Sequence, residues 1–278
     1  MKIASILAAA ALLPPSAAHA PTAPMVMAAL GDSISSGFNA CGWYVTCPSR
    51  SWSTGDSADV NSHYMRLRKL VPEIDGHNVN LAVPGATSAD LAGQARAAVA
   101  QGARYVTVLI GAQDACTATE KEMTPVDVFG RRVAEALAVL RPTGARVFVG
   151  SIPDLRRLWS LGRTSLLARG FWAIGHVCQS MLADPTSTAL KDRLRRQRVR
   201  ARVIAYNDRL EKACLAYGAA CRYDGGAVFS FPYTLRHVSG WDYFHPNGEG
   251  QRDLAKVTFE AAFPAGAADL GLPGAGAV

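Results

Sequence analysis

The chain has 278 residues, of which 49% are hydrophobic and 18% charged, with a net charge of +7. That is the composition of a globular protein, long enough for one large domain and without a linker to divide it. The positive balance admits an anionic partner, but the chain has no nucleic-acid motif and no aromatic interleaving of its basic residues, so nucleic acid is not expected.

Residues 1–20 read "MKIASILAAAALLPPSAAHA". One Lys, an Ala/Leu/Ile run and Ala18-His19-Ala20 have the three regions of a secretory signal, with Pro21 as the mature N-terminus. The apolar run at 3–13 is too short for a membrane anchor, since spanning ~30 Å of hydrocarbon needs ~20 residues. Once Lys2 leaves with the signal the charge is +6, and the mature protein is expected outside the cell.

Four apolar, β-rich runs follow in chain order: "MVMAALG" (25–31), "VNLAV" (79–83), "YVTVLIG" (105–111) and "RVFVGSI" (146–152). Each is short, continuous and ended by Gly or Pro, as strands buried on both faces of a parallel sheet are. Helical patterns lie between them. Residues 61–71 carry an apolar stripe. Residues 87–102 offer Thr87 or Ser88 as N-cap, Asp90 in the first turn and Gly102 as a stop. Residues 124–142 place Pro125 at the first helical position. Later helices are expected near 165–183, near 193–217 and at 247–259. The pattern predicts βαβ units in a three-layer α/β fold over residues 21–264. The Gly/Ala/Pro-rich residues 265–278 are expected to be a flexible tail.

An even count of six cysteines in an exported chain reads as disulfides. Proximity favours Cys41–Cys47 and Cys214–Cys221, which leaves Cys116–Cys178 to tie the loop after Asp114 to a distant helix. With no C-x-x-C pair and no clustered His, a metal is not expected. Much of the charge sits in "KDRLRRQRVRAR" (191–202). This stretch is either a contact for anionic lipid or envelope polymer, or the solvated face of a helix; the second is preferred.

In α/β sheets ligands sit outside the carboxyl ends of the strands. "GDSISSG" (31–37) follows the first strand, "PGATS" (84–88) the second and "GAQD" (111–114) the third, and "DYFH" (242–245) precedes the last helix. Together they hold the inventory for acyl transfer. A serine needs a base to become a nucleophile. Histidine suits that role, and a carboxylate on its other ring nitrogen fixes the tautomer. Ser33, His245 and Asp242 fill the triad. The N–H groups of Ser33 and Gly85 and the side-chain amide of Gln113 fill the oxyanion hole. No one of these motifs is specific alone; the order and spacing of all four are hard to obtain by chance.

These blocks resemble the SGNH (GDSL-type) hydrolases over residues 26–259. "GDSISSG" is similar to the family's first block, with Ser33 as nucleophile. "NLAVPGATSADL" is similar to the second, with Gly85 as oxyanion glycine, and "DYFHPNGEGQ" to the fifth, with Asp242 and His245. Residues 51–67 and 151–159 resemble the secreted actinobacterial, phospholipase B-like branch. The resemblance implies a flavodoxin-like α/β/α sandwich of about five parallel strands, and ester hydrolysis without metal or cofactor.

One position departs from the family. The third block should read G-x-N-D, and here Gly111-Ala112-Gln113-Asp114 puts Gln where the oxyanion Asn belongs. Both side chains end in the same amide, but Gln adds a methylene. Three outcomes follow: Gln113 folds back and donates, it donates poorly and leaves a slow esterase, or it marks a weakened chain whose role is binding. A working enzyme is expected, because the triad is complete and two donors are backbone. In the plainest alternative Gln113 hydrogen-bonds its own loop and Asp114 caps the next turn; Asp114 is expected to be structural.

Trp43, Tyr44, Trp52, Trp159 and Trp172 could line an acyl pocket or belong to the core. A Leu- and Trp-rich helix at 155–175 is expected to flank an apolar cleft. The substrate leans towards small or lipid esters, with a carbohydrate O-acetyl ester as the alternative. A monomer is expected, although nothing in the sequence sets the oligomeric state.

Overall fold

The computed structural model describes residues 25–264 and 266, so the expected signal segment and nearly all of the tail lie outside the described residues. In chain order the elements are β1 (Val26–Gly31), α1 (His63–Leu70), β2 (Asn78–Asn80), α2 (Leu91–Ala100), β3 (Ala103–Leu109), α3 (Ala112–Ala115), α4 (Val126–Leu140), β4 (Arg146–Val149), α5 (Leu155–Gly162), α6 (Leu166–Ile174), α7 (Gln179–Leu182), α8 (Leu190–Tyr217), β5 (Cys221–Tyr223), α9 (Ala227–Ser230) and α10 (Gly248–Ala262). The five strands form one parallel sheet in the order β2-β1-β3-β4-β5. This is the flavodoxin-like winding, and its topological switch lies between β1 and β3. Helices α2, α4 and α8 pack side by side on one face. On the other face α1 and α10 meet through buried His63, whose ring nitrogens bond Tyr105 Oη (2.9 Å) and Thr258 Oγ1 (2.8 Å). Burial lowers the His63 pKa to about 3, so it is a neutral core histidine.

The central strands match the continuous apolar reading. Leu30, Val106, Val108, Leu109 and Val149 are fully buried, and β1 runs beside β3 from Met27↔Tyr105 to Gly31↔Leu109. The edge strands do not match it. The run at 79–83 forms a ladder only over Asn78–Asn80, because it lies at the sheet edge and is half-buried. Beyond it, Leu81 and Val83 still donate to Ala29 (2.9 Å) and Gly31 (3.2 Å), but Val83 is 54% exposed. Strand β5 carries no apolar run and was not predicted from the residues.

Helix starts differ in the same informative way. Thr87 does not cap α2; its N–H and hydroxyl bond the Asp90 carboxylate and close the turn before the helix. Ser88 is drawn instead to Asp114. Pro125 stands one position before α4, as its cap residue. The expected 155–175 helix breaks at 163–165, where the Ser165 side chain caps α6. Gly162 closes α5 against Trp172, whose ring would lie 2.4 Å from a Cβ at that position.

The disulfides are Cys41–Cys47, Cys116–Cys178 and Cys214–Cys221. The first staples a surface loop after β1, the second joins the loop after α3 to the start of α7, and the third fastens β5 to the end of α8. The basic stretch at 191–202 is divided: Lys191, Arg193 and Arg198 lie on the exposed face of α8, Arg196 is buried, and most of the arginines have acceptors from other segments. Arg195 donates to Gln179 and Ala183 carbonyls and Arg196 to that of Ser187. Arg198 forks onto Glu120, Arg200 pairs with Asp154, and Arg202 donates to Thr124.

Candidate active site

The turn after β1 sets the position of Ser33. Gly31 (φ 141°) leaves no room for a side chain, since a Cβ there would lie 2.1 Å from the Leu109 carbonyl oxygen. Its backbone is clamped on both groups by buried Gln94 of α2: Gly31 N–H donates to Oε1 (2.7 Å) and Nε2 donates to Gly31 O (2.9 Å). The Asp32 carboxylate accepts from Ile34 N–H (3.0 Å), turning the chain so that Ser33 stands at the strand end. Burial pushes the Asp32 pKa up to about 7, against the Ile34 hydrogen bond and the nearby His245. From α10, buried Gln251 bonds Ile34 O (2.9 Å) and Trp52 N–H (2.9 Å), fixing the far side of the turn.

The loop before α10 brings His245 and Asp242. His245 Nε2 lies 2.8 Å from Ser33 Oγ, and His245 Nδ1 lies 2.6 Å from Asp242 Oδ2. Four donors converge on the Asp242 carboxylate: His245 Nδ1, Asn39 Nδ2 (2.6 Å), and the N–H groups of Phe244 (2.9 Å) and His245 (3.0 Å). Burial alone would raise the Asp242 pKa; His245 and the two backbone donors outweigh it and hold the carboxylate below its usual range. With Nδ1–H donated to that carboxylate, Nε2 is left to accept a proton from Ser33. Edge contacts from Phe38 and Phe244, each with its ring centroid 4.9 Å away, hold the imidazole plane.

Sequence reasoning did not find Asn39, Gln94 or Gln251. A buried Gln within the Ala-rich face of α2 was a readable signal; Asn39, 203 residues from its partner, gave none.

Gly85 and Gln113 stand after β2 and β3, on either side of β1. The two loops are locked across it by Asp114, which accepts from Ser88 N–H (2.8 Å) and Ser88 Oγ (2.6 Å). Asp114 is therefore structural, and it binds the neighbouring loop rather than capping its own turn. Gln113 is half-buried, and its side chain makes no hydrogen bond to any described residue, so it does not serve the loop. Nor do the N–H groups of Ser33 and Gly85 have an acceptor among the described residues.

A cavity of about 60 Å³ opens beside Ser33 and His245, and Ala112, next to Gln113, lines it. Its other walls are mostly apolar, with Leu155, Leu158 and Leu161 of α5 on one side and Phe244 on the other. The aromatics divide. Trp52 and Trp172 are core, Trp159 is half-buried beneath Arg196, and Trp43 and Tyr44 face solvent. Among the described residues one cluster has metal-ligand composition, His237, Glu249 and Asp253. Arg236 and Arg252 already pair with Glu249, and Arg252 with Asp253, so the cluster reads as an ion-pair network.

A family model described as GDSL-like Lipase/Acylhydrolase matches residues 27–257. No curated protein matches the chain. Among solved structures it is similar to LAE5, an alpha/beta hydrolase enzyme from the metagenome of Lake Arreo, Spain, with 17% identity, a TM-score of 0.52, and 85% of this chain and 94% of that one covered. It is also similar to a catalytic mutant of Axe2, an acetylxylan esterase from Geobacillus stearothermophilus, with 14% identity, a TM-score of 0.52, and 85% and 93% covered. At such identities the two structures speak for the fold alone. These matches do not distinguish a branch within the family.

Proposed function

The chain belongs to the GDSL-like lipase/acylhydrolase family of carboxylic ester hydrolases, and from that premise we propose that it works through an acyl-enzyme on Ser33. The observation that carries this reading is one imidazole bridging Ser33 Oγ at 2.8 Å and Asp242 Oδ2 at 2.6 Å. His245 Nε2 takes the Ser33 proton as Oγ attacks the ester carbonyl carbon. Negative charge then develops on the carbonyl oxygen, where the N–H groups of Ser33 and Gly85 and the amide of Gln113 donate to it. Collapse expels the alcohol, which His245 protonates. Water, deprotonated by the same nitrogen, releases the acid and restores Ser33. Asp242 stays ionised throughout and stabilises the imidazolium.

The apolar walls from α5 favour an acyl chain over a sugar ring, so lipid or other acyl esters are the proposed substrates. A place outside the cytosol is part of the same proposal, supported by three disulfides. Among the described residues no helix is long and apolar enough to cross a membrane.

The test is hydrolysis of a short p-nitrophenyl ester by the mature wild type and Ser33→Ala, with and without chelator. Wild type is expected to be active, Ser33→Ala to fall to background, and chelator to change neither. Activity that survives Ser33→Ala, or that chelator abolishes, overturns the mechanism.

A further inference from the structure

Two exposed apolar patches are anchored to residues 241–245, the segment that carries Asp242 and His245. The first is on α6. Leu166, Leu167 and Ile174 are 77%, 64% and 85% exposed. At helical spacing these three share one face with Phe171, while Ala168 and Trp172 on the opposite side are buried. Helix α6 is thus apolar on both faces, and only one is covered by the protein. A helix apolar all round is ordinarily buried on all sides. Its covered face is fastened to the catalytic segment: Trp172 Nε1 donates to Tyr243 O (3.1 Å), and the Phe171 and Tyr243 rings lie 5.8 Å apart.

The second patch comes from the loop after β1. Trp43, Tyr44 and Val45 are 73%, 53% and 47% exposed, and the Trp43 ring lies 4.5 Å from that of Trp241. The Tyr44 hydroxyl donates to Trp241 O. Trp43 and Tyr44 both hold left-handed backbone conformations (φ 65° and 52°), which cost free energy for non-glycine residues. Cys41–Cys47 closes this loop, so the aromatics are held outward on a short, stapled turn.

The charge differs between the two patches, and beside the second one Arg50 is paired with Asp59. The chain of α5 to α7, residues 155–183, holds four arginines and no Asp or Glu. In the more basic 191–202 stretch most of the arginines already have protein acceptors. The exposed aliphatic face of α6, on a segment with arginines and no acid, has the composition of a surface that lies in an anionic lipid interface, and the aromatic patch adds apolar anchoring beside it.

We infer that the α6 face and the Trp43/Tyr44/Trp241 patch together seat the protein on anionic lipid aggregates, presenting the Ser33 cavity to esters held in that surface. This substrate presentation rests on the ester-hydrolase reading; the docking itself does not, and the experiment separates them. Sedimentation with vesicles of phosphatidylcholine alone, or with phosphatidylglycerol added, is measured on the Ser33→Ala protein, so that hydrolysis plays no part. Binding is expected with the anionic vesicles and weakly without them. Combining Leu166→Ser, Leu167→Ser and Ile174→Ser should weaken binding by roughly tenfold or more. In the active background the triple variant should keep its rate on monomeric p-nitrophenyl acetate and lose rate on vesicle-held ester. Failure to bind anionic vesicles, or equal binding by the triple variant, overturns the proposal. So does a dimer in solution that the three substitutions dissociate, since the face would then be covered by a second copy. An inactive wild type that still binds vesicles would contradict the proposed hydrolysis and leave the docking standing.

Discussion

The two sides of Ser33 are built in opposite ways. On the base side every polar atom is spoken for: His245 bridges serine and carboxylate, and Asp242 takes four donors. On the side of Gly85 and Gln113, the groups that would meet an oxyanion have no acceptor among the described residues. In the proposed mechanism the difference follows the chemistry each side is asked to do. Proton transfer needs partners fixed before substrate arrives, whereas oxyanion donors are useful only if they stay uncommitted until charge appears between them.

Breaking the base side should cost most. His245→Ala should lower kcat by roughly 10⁵–10⁶, the scale seen when a triad base is removed. Asp242→Asn keeps the shape but favours the wrong tautomer, and a loss of roughly 10⁴ is expected; both are read from steady-state ester hydrolysis. On the open side the effect should be smaller. Gln113→Ala should cost roughly 10²–10³ in kcat with little change in KM. Gln113→Asn is the sharper probe: a change within a few-fold means that the longer side chain already reaches the oxyanion, and a large gain means that it falls short. Asn39→Ala removes one of the four donors on Asp242 and should lower kcat by roughly tenfold. Because Asn39 is a positioning residue, the loss should deepen towards acid pH, as the Asp242 carboxylate loses a partner that favours its ionised form.

The smallest effects concern stability and come from two buried groups that titrate in opposition. His63 is held neutral with its pKa lowered to about 3. The unfolded chain therefore binds a proton below about 6.5 that the folded one does not, and stability falls as pH drops from there towards 3. Asp32, raised to about 7, works the other way: the unfolded chain ionises first, so stability falls as pH rises from about 4 to 7. Between pH 4 and 6.5 the two slopes oppose each other, so urea unfolding should show stability falling with pH in His63→Gln, where Asp32 acts alone, and rising with pH in Asp32→Asn, where His63 acts alone, whatever each does to the midpoint.

The sequence was most legible where chemistry needs a particular residue type. Ser33 stood in a short block after β1 and Asp242 and His245 in one before α10, and the structure brings the three side chains within hydrogen-bond reach. The central strands were legible because burial on both faces demands unbroken apolar runs. Edge strands β2 and β5 escape that demand, and their bounds blurred accordingly. The support around the site was hidden for another reason. Asn39, Gln94 and Gln251 act on backbone or carboxylate groups far away in the chain, and no local pattern marks which partner a polar side chain will meet. Part of the 191–202 stretch is the solvated helix face its charge suggests, with Lys191, Arg193 and Arg198 exposed, but the acceptors its arginines meet come from separate segments, among them Glu120, Asp154 and the turns around α7.

The central claim is that Ser33 is the nucleophile of an acyl-transfer site, and the most direct test is intact-mass analysis after incubation with a fluorophosphonate. One adduct is expected on the wild type, mapped by digestion to the peptide holding Ser33, and none on Ser33→Ala. An unlabelled wild type, or an adduct that persists in Ser33→Ala, would contradict the account.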